Sequence, residues 1–243
     1  MSYMQETIDE LHYRPTGRSY QIRTAVTLRD LDEVHRVTHD SIVAAGYMKR
    51  RPSGRLISYP ALDASPMTTI LLAVDNGAVV GTHSIVMDSE LGLPTDETFP
   101  LETGAIRLEK RRLVSFFRLA TDPARETHRT SALLLDLLRC AFVVSIYRYS
   151  FDTMLCGFNP KHAAAYERLA GGRMLTPARR LNNGDIDAGA VLMRVDRERL
   201  HSRFANDIVA TAEKLLPRSE IDEFAAMLPT ARHFRSDRSA RNS

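Results

Sequence analysis

Tryptophan is absent from the 243 residues, cysteine occurs twice, and lysine only at Lys49, Lys110, Lys161 and Lys214. Cys140 and Cys156 both lie in apolar surroundings. Two thiols are too few for a disulfide framework, so each reads as a small buried hydrophobe and a cytoplasmic location is expected. No apolar run approaches the length that spans a bilayer, and residues 1–20 are too polar for a secretory signal. Metal-ligand spacing is missing too. His35 and His39 stand four apart on one helix without a Glu or third ligand, which reads as a surface pair. The net charge is only +3. The clusters Lys49-Arg50-Arg51 and Lys110-Arg111-Arg112 are short and lack aromatic neighbours, so nucleic-acid binding is not expected and a solvated face is the preferred reading. A phosphate-bearing cofactor, an acidic protein partner, a peripheral membrane contact, and a monomer or dimer all remain open.

What is present is an ordinary globular balance, 44% hydrophobic and 26% charged, long enough for one large domain with an extension. Residues 1–18 read as a loose arm. The sequence predicts a strand at Tyr20–Val26, then a helix capped by Asp30 and stopped by Gly46. Residues 49–66, with three prolines, form a long loop. Thr69–Val74 and Ala78–Met87 flank Asp75-Asn76-Gly77, a strong hairpin signal. A turn-rich acidic run follows to Pro100, then a short helix over Leu101–Arg112 and a central strand over Leu113–Ala120. A long apolar helix is expected from Arg129 to Tyr147, and strands near Arg173–Ala178 and Ala190–Val195. Leu200, Phe204, Ile208, Ala212 and Leu215 share one helical stripe, a second short helix spans Glu220–Met227, and the Arg/Ser-rich end from 231 reads as disordered.

The densest signal is residues 151–172. Phe151–Phe158 reads as a buried strand, Asn159 as an N-cap, Pro160 as the first helical residue, and Gly171-Gly172 as the stop. Tyr166 follows Asn159 by seven residues, two turns, and so returns toward the same face. A strand feeding a short helix with Asn at its start and Tyr near its end suits acyl-thioester chemistry, where a phenol can serve a departing thiolate.

This element order resembles the GNAT acyltransferase fold, and the Asn159-to-Tyr166 spacing is similar to that superfamily's last motif. Two segments are narrower. Val80–Pro94, with its Asp88-Ser89-Glu90-Leu91-Gly92-Leu93-Pro94 turn, and Phe117-Arg118-Leu119-Ala120-Thr121-Asp122-Pro123 resemble long-chain N-acyl amino acid synthases of the N-acyl tyrosine type. Those enzymes are similar in turn to acyl-homoserine-lactone synthases. The resemblance implies an α/β fold with a mixed sheet of about seven strands, splayed between strands 4 and 5, over 19–196, with a helical extension over 197–230. It implies a fatty acyl group delivered as a thioester on the phosphopantetheine of acyl carrier protein or on coenzyme A, no permanently bound cofactor, and the α-amino group of an amino acid as acceptor. The donor's arm would run against Leu119, Ala120, Thr121, Arg125, Arg129 and Asn159. Two departures stand out. Arg125–Thr130 lacks the glycines that bind the coenzyme A pyrophosphate, which favours the single phosphodiester of a carrier protein. Ser115 replaces a Glu found three residues before the strand's Arg in the related synthases, and a serine is no carboxylate base.

Aminolysis of a thioester needs a neutral amine, a polarised carbonyl and a stabilised thiolate. Asp88 and Glu90 are the candidates for taking the amine's proton, with turn capping and solvation as the plain alternatives. Arg118, in an apolar strand, must find a partner: Asp88, or the acceptor's carboxylate. A backbone N–H of Leu119–Thr121, aimed by a bulge, would bind the carbonyl oxygen. Tyr166 is the leaving-group acid by position, or a helix residue packed on the sheet. Phe116, Phe117, Leu133, Leu137, Phe142 and Met154 are candidate lining for the acyl chain. The rival readings are a catalytically silent acyl-thioester or protein-binding module, and an acyl-homoserine-lactone-type synthase.

Overall fold

The computed structural model describes residues 11–125, 130–181 and 185–231. One sheet of nine strands carries the chain, several of them only two residues long. Strands β1 (His12–Tyr13), β2 (Gln21–Thr24), β3 (Thr68–Asp75), β4 (Ala78–Met87) and β5 (Leu113–Thr121) are neighbours in sequence order and antiparallel. β6 (Thr153–Phe158) joins β5 in parallel. β7 (Arg173–Met174), β8 (Arg179–Arg180) and β9 (Gly189–Asp196) complete the sheet, with β9 between β6 and β7. The arm expected over 1–18 therefore supplies an edge strand, anchored by buried Leu11 and Tyr13.

The β3–β4 hairpin turns on Asn76 and Gly77, both with positive φ (48° and 76°), as a tight two-residue turn requires. Helix α1 (Leu28–Ala44) is capped one turn earlier than the sequence suggested. Thr27 accepts from the Asp30 N–H, and Asp30 reaches back to the Thr27 N–H. Asp30 is thus the third helical residue of a reciprocal capping box, not the cap. The expected loop 49–66 holds a short helix, α2 (Pro60–Asp63). α3 (Pro100–Arg107) ends five residues before the predicted boundary, and Lys110 turns the chain into β5 at φ +55°.

Helix α4 (Thr130–Tyr149) crosses one face of the sheet. Its mean hydropathy of 1.6 over an 18-residue window meets the length and composition of a membrane span, against the expectation that no such run exists. Its apolar surface is spent on the core: Leu137, Ala141, Phe142, Val143, Val144 and Ile146 are fully buried. Gly81 in β4 lets the helix come close, since a Cβ there would meet Leu137 and Leu133 methyls at 3.2 and 3.3 Å. The C-terminal helices α6 (Ser202–Ala212) and α7 (Ile221–Ala226) share that core through Phe204, Ile208 and Phe224. Phe142 and Phe204 meet edge to face at 5.3 Å. The opposite face is covered by α1 and α3, over Val86, Leu113, Leu155 and Leu192 on one side and Ile70, Leu72 and Val79 on the other. Predicted strand 173–178 forms only at Arg173–Met174, and the expected tail from 231 lies, beyond Ala231, outside the described residues.

Candidate active site

Strands β5 and β6 pair over three residues and then part. Leu113, Val114 and Ser115 face Thr153, Met154 and Leu155; beyond them β5 follows β4 as far as Thr121 while β6 follows β9 as far as Phe158. A V-shaped gap opens at Ser115. It leaves one edge of Phe116–Thr121 without a strand partner, and buried or half-buried backbone groups of that kind need partners.

The same strand is bulged. Thr82 faces Ala120 and Ser84 faces Phe117, so Arg118 and Leu119 together stand opposite His83. The bulge thus falls on Arg118 and on Leu119, the first residue of the Leu119–Thr121 segment. Arg118 adopts φ +52°, a left-handed conformation costly for a residue with a Cβ. Its side chain is only 4% exposed although the residue as a whole is half-buried, so its exposed surface belongs to the backbone facing the gap.

The Arg118 guanidinium does not reach Asp88. It donates from Nη2 to Asp63 Oδ1 (2.5 Å) and from Nε to Ser84 Oγ (3.1 Å), and it lies 4.6 Å over the Phe117 ring. Asp63, at the end of α2, also bonds His35 Nε2 at 2.9 Å. Burial alone would raise the Asp63 carboxyl, but the bonds from His35 and Arg118 outweigh it and hold it below the usual carboxylate range. His35 is therefore a buried structural partner, not one of a surface pair. His39 is buried as well, bonding Asp40 and accepting the Arg51 N–H.

Beneath α1, against the apex of the gap, lies a cavity of about 190 Å³. Ser115, Phe117, Arg118 and Gly157 form its sheet wall, with Thr38, Ile42 and Leu56 opposite and Tyr59 and Phe99 at the side. Tyr59 meets Phe117 edge to face at 5.5 Å. Three buried polar atoms of this lining have no hydrogen-bond partner among the described residues: Thr38 Oγ1, Ser115 Oγ and Arg118 Nη1.

On the far side of β6, Asn159 caps the turn Pro160–His162 by accepting the Lys161 N–H (3.1 Å), and its Nδ2 donates to Tyr47 (2.9 Å). Helix α5 (Ala163–Ala170) follows, closed by Gly171 at φ +73°. Tyr166 packs on Phe158, ring centroids 4.9 Å apart, and its hydroxyl makes no hydrogen bond among the described residues. Burial, and secondarily Cys156, push its phenol up to about 12.

A profile of the N-acyl amino acid synthase FeeM matches residues 33–196, more than half of the sequence. The chain belongs to the FeeM family of N-acyl amino acid synthases. It is an acyltransferase. No curated protein matches its sequence significantly. Among solved structures, the N-acyl amino acid synthase FeeM from uncultured soil microbes is 22% identical with a TM-score of 0.61, covering 74% of this chain and 94% of its own. The coenzyme-A-dependent acyl-homoserine lactone synthase BjaI, solved with MTA, is 17% identical (TM-score 0.53; 90% of this chain, 99% of that one). The acyl-homoserine lactone synthase LasI is 16% identical (TM-score 0.53; 82% and 96%). At these identities the likeness is one of fold.

For this FeeM-family chain the structure separates the residues singled out from sequence. Phe116, Phe117, Leu119, Ala120 and Thr121 stand on the free edge of the gap or at its apex, and Arg118 reaches the cavity. Leu133, Leu137 and Phe142 on α4 and Met154 on β6 do not border this cavity; they pack in the core between α4 and the sheet. Asp88 is fixed by Arg107 through two bonds (2.7 and 2.8 Å), and Arg107 also holds Asp96. Asp88 sits at the zipped end of the gap, where its N–H bonds Leu113 O, and Glu90 is exposed. Neither carboxylate faces the cavity. Arg125 is exposed in the turn before α4, and Arg129 lies outside the described residues. Sequence reasoning missed Asp63, Ser84, His35 and Thr38. The structure buries His35, Thr38 and His39 on one helix, and nothing local in the sequence marks Asp63 or Ser84.

Proposed function

We propose that the chain transfers a long-chain fatty acyl group from a phosphopantetheine thioester to the α-amino group of an amino acid by direct aminolysis. The observation that carries this reading is the gap between β5 and β6, combined with the bulge at Arg118. A pantetheine arm is an extended chain with amide groups. It can pair with the free edge of Phe116–Thr121 as an added strand would. The bulge turns backbone N–H groups of this segment toward the place where the thioester carbonyl arrives, so they stabilise the oxyanion of the tetrahedral intermediate.

The acceptor nitrogen attacks the carbonyl carbon, the C–N bond forms, and the C–S bond breaks. An alkyl thiol has a pKa of about 8.5, well below that of the Tyr166 phenol at about 12. Full proton transfer from Tyr166 to the thiolate is uphill, so Tyr166 acts as a hydrogen-bond donor to the departing sulfur. The proton that the thiol finally keeps comes from the amine. Arg118 faces the acceptor's carboxylate with Nη1. The absence of glycine from residues 125–130 supports a carrier-protein donor over coenzyme A, since no run of bare backbone is offered to a pyrophosphate.

The test is turnover of purified protein with acyl carrier protein and acyl-coenzyme A donors, each with an amino acid mixture, read by mass spectrometry. N-acyl amino acid formed faster from the carrier protein is the expected result. Product that requires S-adenosylmethionine and no free amino acid overturns the reading in favour of lactone synthesis. No acylated product from either donor overturns it altogether.

A further inference from the structure

We propose that the cavity beneath α1 is the acceptor's binding site and that it selects α-amino acids with an uncharged side chain. This rests on the reading above and names the substrate class it leaves open. Three polar side chains converge on the cavity with atoms that have no partner among the described residues: Thr38 Oγ1, Ser115 Oγ and Arg118 Nη1. Thr38 is 4% exposed, Ser115 is 0%, and the Arg118 side chain is 4%. Buried polar atoms are rarely left unpaired, and three in one cavity mark a place for a ligand. All three can donate: two hydroxyls and a guanidinium N–H. A carboxylate offers two oxygens with lone pairs enough for all of them.

The rest of the wall sets the side chain. Ile42, Leu56, Phe99, Phe117 and Ile186 are apolar, Ser58, Tyr59, Thr95 and Thr98 are polar but uncharged, and among the described residues lining the cavity none is Asp or Glu. A lysine or arginine side chain there would find no counter-charge, and an acidic one would have no cation beyond Arg118, already shared with Asp63. Size decides against the other possible occupant. About 190 Å³ is below the ~300 Å³ at which drug-sized ligand pockets begin, so the cavity takes one small molecule and not a long acyl chain. Ser115, the last residue of β5 paired with β6, and Gly157, just past the split on β6, both border it. An amino acid seated there holds its amine at the apex, beside an incoming thioester.

The experiment is calorimetric titration of the purified chain with L-leucine, L-phenylalanine, L-glutamate, L-lysine and decanoate, repeated on Thr38→Val and Ser115→Ala. Both variants remove a hydroxyl and keep the bulk, and neither breaks an existing bond. Leucine and phenylalanine are expected to bind, and each variant to weaken them about tenfold or more, as loss of a bond to a charged group does. Kinetics should show the amino acid's KM raised and the acyl donor's KM unchanged. Equal binding of glutamate or lysine overturns the inference. So does displacement of leucine by decanoate with a raised donor KM, or leucine binding indifferent to both substitutions. If the chain forms no N-acyl product yet binds leucine through Thr38 and Ser115, the proposed reaction fails and the site stands.

Discussion

Arg118 reaches Asp63 at 2.5 Å from a backbone held at φ +52°, so one ion pair fixes both the strained bulge of β5 and the end of α2. Neither partner is free to relax: both side chains are at most 4% exposed. Asp63→Asn should therefore destabilise the fold by about 3–5 kcal/mol, the cost of leaving one buried charge alone. Equilibrium unfolding in urea measures it, and a loss below about 1 kcal/mol would show the pair to be dispensable. The carboxyl's lowered pKa sets the pH sense. This stabilisation is present above the unfolded carboxylate pKa and is lost as pH falls through the folded value.

Tyr166→Phe should lower kcat by about 10²–10³, the effect of removing one donor to a developing charge, with little change in either KM. The packing on Phe158 needs only the ring. Because the phenol stays protonated up to about 12, the wild-type rate should show no loss assignable to Tyr166 between pH 7 and 10. A pH–rate profile of kcat for both proteins checks this, and a tyrosine-dependent fall below pH 10 would contradict the burial argument.

Asp88→Asn tests whether the pair with Arg107 keeps Asp88 out of the chemistry. The side chains of Asp88 and Arg107 are 19% and 33% exposed, so their pair contributes about 1 kcal/mol or less. Turnover should stay within about threefold of wild type, since a loss of 1.4 kcal/mol would already be tenfold. A drop of a hundredfold in kcat would return Asp88 to the chemistry.

His83 is 1% exposed opposite the bulge, its ring edge to face with Phe116 at 5.1 Å. Burial pushes its pKa down to about 4 from an ordinary 6.5. The unfolded chain binds this proton first, so stability is full above about pH 6.5 and falls as pH drops toward 4, by roughly 3 kcal/mol. Urea unfolding at pH 7 and pH 4.5 should show that decrement in the wild type and its absence in His83→Phe.

Phe204→Ala should cost about 3–5 kcal/mol, because α6 packs this fully buried ring against Phe142 in the main core. Thermal unfolding should stay a single transition. A second transition would show the C-terminal helices to be a separate unit.

Much of the fold was legible because local signals agreed with one another. Asn76-Gly77 and its flanking apolar runs give the hairpin, and Asn159-Pro160 with Gly171-Gly172 delimit α5 to within a few residues. Errors arose where a residue serves a neighbour distant in sequence. Asp30 resembles a cap, but Thr27 caps the helix three residues earlier by accepting the Asp30 N–H, and Asp30 accepts the Thr27 N–H in return. Asp88 lies in an acidic run that suggests a base, yet Arg107, nineteen residues away, claims it. Asp63 lay in a stretch read as loop, and nothing local announces that its partner stands 55 residues on.

By itself the sequence determined the order of strands and helices, the Asn159–Tyr166 spacing and the family's strand motifs, because periodicity, turn residues and caps act within a few residues of one another. Only the tertiary structure decided where β5 and β6 part, which carboxylate neutralises Arg118, and that Thr38 and Ser115 share a cavity with it. Those are outcomes of register and burial, which depend on what the sheet brings together and not on what the chain places in sequence.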